Sequence, residues 1–115
     1  MKNRVGLIVI VIGILHAVLG VIKFSEVFMQ MIFEGLFNTG TGSHRGWAVW
    51  FTVTGIVFII LGFALKFMEE SKLNIPNNIG WGLVGIAILG GFIIPLSGFW
   101  ALILPGILII SLKKV

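Results

Sequence analysis

VGLIVIVIGILHAVLGVI, residues Val5 to Ile22, holds a single ionisable side chain, His16. In water such a run would have to be a buried core helix. In a bilayer it is a membrane span carrying one polar group in an expensive place. Composition decides between the two. The 115 residues are 58% hydrophobic and only 10% charged, with a mean hydropathy of +1.17. Soluble domains average about 25% charged residues, and a chain this short has too little interior to hide that much apolar surface. The sequence therefore predicts an all-α integral membrane four-helix bundle, folded as a single membrane domain over 1–115.

Four spans account for the chain: about 5–22, 47–68, 79–94 and 99–112. The last two are short for a crossing, which takes about 17–25 residues. They are kept separate because the uncharged stretch between Lys72 and Lys113 is too long for one helix through a membrane. IIPLSGFW supplies the break: Pro95 disfavours helix before it, and Ser97-Gly98 suits a tight turn. With four spans both termini share a side, together with Lys2, Arg4, Lys66, Lys72, Lys113 and Lys114. Only Lys23 and Arg45 fall opposite, so both termini are expected in the cytoplasm. The N-terminus looks like a signal peptide but has no small-residue cleavage site, and it reads as an uncleaved first span.

Between spans one and two, Phe24, Val27, Phe28, Met31 and Ile32 recur at helical spacing, while Glu26, Gln30 and Glu34 form a polar stripe. This predicts a short amphipathic helix within about 24–37. Its polar stripe faces either a vestibule or solvent. GLFNTGTGSHRG then reads as a turn-rich loop.

Glycine sets the expected packing. Gly6, Gly13 and Gly20 are spaced by seven, as are Gly55 and Gly62. Small residues on one helix face let backbones approach closely, so Gly13, Gly20, Gly55 and Gly62 are the expected helix contacts. His16 shares the face of Gly13 and Gly20 and should point between helices. Trp47 and Trp81 fit an interfacial aromatic belt. The less ordinary residues of the outer side, His16, Asn38, Arg45, Trp50, Ser97 and Trp100, form the candidate ligand-binding set. The alternative for His16 is a neutral imidazole bonded to a backbone carbonyl or a threonine hydroxyl.

Chemistry is limited by what is missing. There is no cysteine and no aspartate, which removes disulfides, thiolate sites and a Ser-His-Asp triad. No catalytic residues, metal or other cofactor are expected. The net charge of +4 lies at the ends of apolar runs, so nucleic acid is not an expected partner.

The ordered set His16-x-x-x-Gly20, Gly35-Leu36-x-Asn38, Arg45-x-x-Ala48-x-Trp50-Phe51, Gly80-Trp81 and Pro95-x-Ser97-Gly98-Phe99-Trp100 resembles an uncharacterised domain-of-unknown-function family of small bacterial four-helix membrane proteins. The resemblance implies that architecture and a bacterial cytoplasmic membrane; it implies no activity. Small multidrug exporters have a similar length and span count, and KFSE after span one is reminiscent of some of them. Their coupling needs a membrane-embedded carboxylate in the first span, where this chain has His16 and no acid. Two functions stay open. One is binding or moving an amphipathic small molecule or lipid in an outer-half pocket around His16. The other is an accessory role, docking a membrane-protein partner or a second copy through glycine-rich faces.

Overall fold

The computed structural model describes residues 4–93 and 99–111. Among these the regular structure is all helical: α1 (Val5–Lys23), α2 (Ser25–Phe33), α3 (Ser43–Glu70), α4 (Asn77–Ile93), and α5 (Ile103–Ser111) entered through a 3-10 turn (Phe99–Leu102). α3 starts at Ser43, ahead of the expected Trp47. The predicted amphipathic segment is helical only as far as Phe33. Two of the helices, α1 and α3, are long and apolar enough to cross a membrane by length and composition.

Local chemistry sets the ends. Gly35 (φ +98°) and Leu36 (φ +67°) turn the chain after α2, where the N–H groups of Gly35 and Leu36 donate to Ile32 O and Met31 O. This is the paired 5→2 and 6→1 bonding of a Schellman motif. α3 ends the same way: Lys72 N–H donates to Glu69 O and Leu73 N–H to Met68 O, with Lys72 at φ +57°. Here a lysine occupies the left-handed position that glycine would take without steric cost. Pro105 accounts for the 3-10 entry to α5, because it has no N–H to donate back to Ala101.

α1 has no acidic residue in its first turn and no cap from its own sequence. Glu69 of α3 supplies one: its carboxylate accepts Val5 N–H at 3.0 Å and Gly6 N–H at 2.7 Å. Two orphan donors are satisfied and a negative charge meets the positive end of the helix dipole. The clamp also locks the axial register of α1 against α3.

That register makes the tightest seam. A Cβ on Gly13 would fall 2.6 Å from Gly55 O and 2.7 Å from Ile59 N; one on Gly62 would meet Ile10 N at 2.7 Å. Only the missing side chains allow this approach. A second antiparallel pair, α4 with α5, is built likewise: a Cβ on Gly80 would lie 2.8 Å from Gly106 O, and Gly91 is covered by the Trp100 indole.

The two pairs do not close into the predicted bundle. Backbones meet in the order α3–α1–α5–α4, and among the described residues α3 makes no close backbone approach to α4. The molecule measures 53 × 30 × 19 Å, a long thin slab. One apolar core still runs through it, from Leu65 and Val5 through Ile75 and Ile109 to Leu83 and Ala87. A closed bundle needs each helix to pack on two neighbours. Among the described residues α3 has α1 and the short α2, and α4 has only α5 with its 3-10 turn.

Candidate functional site

The α1–α3 seam positions His16. With Gly13 against Gly55 in an antiparallel pair, the next turn of α1 comes level with Phe51 and Thr52. The imidazole stacks on Phe51, centroids 4.0 Å apart and planes at 20°, and meets Phe58 edge-on at 6.4 Å. An imidazole N–H donates to the Phe51 backbone carbonyl. His16 is thus half-buried against one helix, with one ring face stacked on Phe51. Thr52 brings a hydroxyl against Gly20, and that buried oxygen has no hydrogen-bond partner among the described residues.

The other candidates lie elsewhere. Trp50 is 69% exposed and turns away from the seam that its neighbour Phe51 enters. Asn38 (φ +55°) is an exposed turn residue. Arg45 forks onto Glu34, with Nη1 to Oε1 at 2.9 Å and Nη2 to Oε2 at 2.5 Å, and also donates to Thr39 O at 3.0 Å. That guanidinium ties the 34–42 loop to the first turn of α3, so its fork is already filled by a carboxylate. Glu34, from the predicted polar stripe, is therefore a structural partner. Ser97 lies outside the described residues. Trp100 covers Gly91 and helps wall a groove between α1 and α5.

That groove has a volume of about 660 Å³. Leu7, Val11 and Ile12 line one side, and Trp100, Leu104 and Leu108 the other. The lining is almost wholly apolar and opens sideways. Its α1 residues belong to the N-terminal half of the helix and stop at Ile12, one turn short of His16. Such a lining is apolar enough to suit hydrocarbon and carries no group for acid–base chemistry. Among the described residues no three His, Cys, Asp or Glu side chains come together as a metal site.

One cluster went unrecognised in the sequence. At the C-terminal end of α1, Lys23 Nζ lies 4.8 Å from the Trp47 ring, 5.5 Å from Phe24 and 5.8 Å from Phe51. Phe24, only 4% exposed, is the hub: it meets Trp47 at 5.1 Å, and Phe51 and His44 at 5.9 Å each. A signal for it existed. Lys23 follows Gly20 by three residues and Phe51 precedes Gly55 by four, so both lie on the glycine-marked faces.

A family model described as a family of unknown function, DUF6463, matches residues 1–115. The chain belongs to that family. No curated protein and no solved structure matches it. Membership in DUF6463 carries no activity with it.

Proposed function

We propose that this is a small multi-pass protein of a bacterial cytoplasmic membrane, with both termini cytoplasmic, that holds the hydrocarbon part of a lipid or amphipathic small molecule in the α1–α5 groove. The groove carries the reading. Its volume falls within the range of about 300–1,000 Å³ usual for small-molecule sites, its walls are aliphatic apart from Trp100, and its open side gives lateral access. The membrane part of the proposal is supported by exposure. Only 33% of the apolar window of α1 and 28% of that of α3 is buried. A core helix in a soluble protein would be mostly covered, whereas lipid accepts an uncovered apolar face. The expected pocket around His16 gives way to this groove, because His16 is taken up by Phe51 and Phe58.

The test uses bromine-labelled acyl chains, which quench indole fluorescence on contact. In a chain keeping Trp100 and carrying Phe at 47, 50 and 81, a groove-bound lipid makes Trp100 quenching saturate at low mole fraction of the brominated lipid. Val11→Phe, which fills the groove, removes the saturation. Quenching that follows the bulk mole fraction in both proteins would mean ordinary boundary lipid and refute the proposal.

One observation favours the accessory reading. Gly82 and Gly85 on α4 have nothing within 4 Å of an added Cβ, so that face of α4 has room for a docked membrane helix. Gly13, Gly20, Gly55 and Gly62, the expected helix contacts, pack within the chain in the α1–α3 seam and leave no face there for a partner.

A further inference from the structure

We propose that Lys23 and the rings around it form a binding site for the phosphate of a lipid headgroup, at the opposite end of α1 from the groove. The site depends on the membrane reading of the chain but not on the groove.

Lys23 is held in place. Its ammonium faces three rings at 4.8–5.8 Å, contributed by the end of α1 and the first turns of α3. Phe24, buried beneath, packs edge-on against Trp47 and Phe51 of α3. An unsupported terminal lysine would spread over many rotamers; here cation–π attraction and packing select one region.

The rings leave the ammonium incompletely satisfied. It has three N–H donors, and a ring face is a diffuse acceptor that covers one side. Among the described residues no carboxylate forms an ion pair with Lys23. Glu34 is held by Arg45, Glu69 caps α1, and Glu70 lies 3.9 Å from Lys66. Glu26, three residues further on, makes no ion pair with it. The free side of Lys23 therefore calls for an anionic oxygen from outside the protein. The imidazole of His44, which packs edge-on against Phe24 and Trp47, adds an N–H donor on the same cluster.

The surroundings decide the source of that oxygen. Ile22 (65% exposed), Leu19 and Val21 lie just along α1, and Phe33, Phe37 and Trp50 are exposed close by in sequence on either side of the loop. A cation at the end of a helix whose last turn is apolar and uncovered, beside the amphipathic Trp47, belongs at the boundary between hydrocarbon and headgroups. An anion that reaches it there brings acyl chains with it. The occupant is a phospholipid headgroup, not dissolved phosphate.

The experiment uses the full chain in a mild detergent, after confirming that it stays with membranes through an alkaline carbonate wash. A chain released by that wash would refute the membrane reading itself. Thermal unfolding is followed with added phosphatidylglycerol, with a galactosyl diacylglycerol of the same chains, and with inorganic phosphate. Phosphatidylglycerol should raise the midpoint more than the glycolipid, and inorganic phosphate should not reproduce the difference. Lys23→Gln should lose more than half of that difference, while Lys23→Arg and Lys72→Gln keep it. If Lys23→Gln does not fold, Trp47→Leu replaces it, with the same loss expected because the ammonium is no longer positioned. Full retention of the difference in the Gln or Leu variant, or an equal shift from inorganic phosphate, overturns the proposal.

Discussion

Gly13→Ala probes the α1–α3 seam directly. The added methyl would stand 2.6 Å from Gly55 O and 2.7 Å from Ile59 N, both backbone atoms of a helix that cannot step aside locally. An ordinary contact needs about 3.4–4 Å, so the helices must part by most of an ångström at this level. A gap of about 0.5–1 Å forfeits a quarter to a half of a dispersion well. The Glu69 clamp, with its bonds to Val5 and Gly6, resists a tilt that would relieve the strain at one end. Overpacking of this kind costs about 1–3 kcal/mol. Both close contacts are with backbone, so the cost falls in the upper part of that range, about 2–3 kcal/mol; alanine returns about 0.8–1.0 kcal/mol through helix propensity, leaving a net loss of about 1–2 kcal/mol. Gly85→Ala meets nothing within 4 Å and receives the propensity gain without the clash, so it should stabilise by up to about 1 kcal/mol. The assay is reversible unfolding in mixed micelles, titrating sodium dodecyl sulfate into dodecyl maltoside and following far-ultraviolet ellipticity. The opposite signs are the diagnostic. A Gly13→Ala protein as stable as the parent would refute the close seam. A Gly85→Ala protein destabilised as much as Gly13→Ala would show that α4 is covered after all, by a partner or a second copy.

Two further outcomes follow from the loop geometry. Lys72→Gly should raise stability by about 1 kcal/mol in the same titration, because a non-glycine residue in the left-handed region costs about 1–2 kcal/mol and glycine recovers part of this against its greater chain entropy; a neutral or lower stability would mean that the Schellman turn after α3 is not formed. The Glu34 carboxyl is held below its ordinary range, first by its hydrogen bonds from Arg45 and also by that residue's charge. A depressed folded-state value stabilises above the unfolded value near 4.5 and loses that contribution as pH falls through the folded one. Amide exchange at Thr39 should therefore speed up, beyond its intrinsic pH dependence, only below about pH 4.5, and Arg45→Gln should abolish the step. A step that survives Arg45→Gln would assign it to another group.

The helices were legible in the sequence because each is an apolar run bounded by charge or turn residues, and an apolar run of that length has few alternatives to helix. Spacing by seven in Gly6, Gly13 and Gly20 marked a close-approach face, since helical geometry alone puts those positions in line. Which residues meet across that face was not legible. Trp50 and Phe51 are adjacent and equally apolar, yet the tryptophan is uncovered and the phenylalanine stacks on His16. In a soluble helix, burial would be marked by a change from polar to apolar. Here nearly every position is apolar, so periodicity does not distinguish a buried face from an uncovered one. The same uniformity hid the difference between a closed bundle and the α3–α1–α5–α4 row.

Polar contacts escaped for a different reason. Glu34 with Arg45, Glu69 with the start of α1, and Lys23 with Trp47 join positions far apart or across a turn, and sequence spacing says nothing about such pairs. Composition and periodicity determined that the chain is helical and where its glycine face lies, because those depend on each residue and its near neighbours. Only the tertiary structure decided that His16 stacks on Phe51 and meets Phe58, that Arg45 is already paired, and that the open groove lies between α1 and α5. Those outcomes depend on the axial register and lateral order of whole helices. The register is fixed by backbone contacts at missing side chains and by one carboxylate that arrives from the far end of α3.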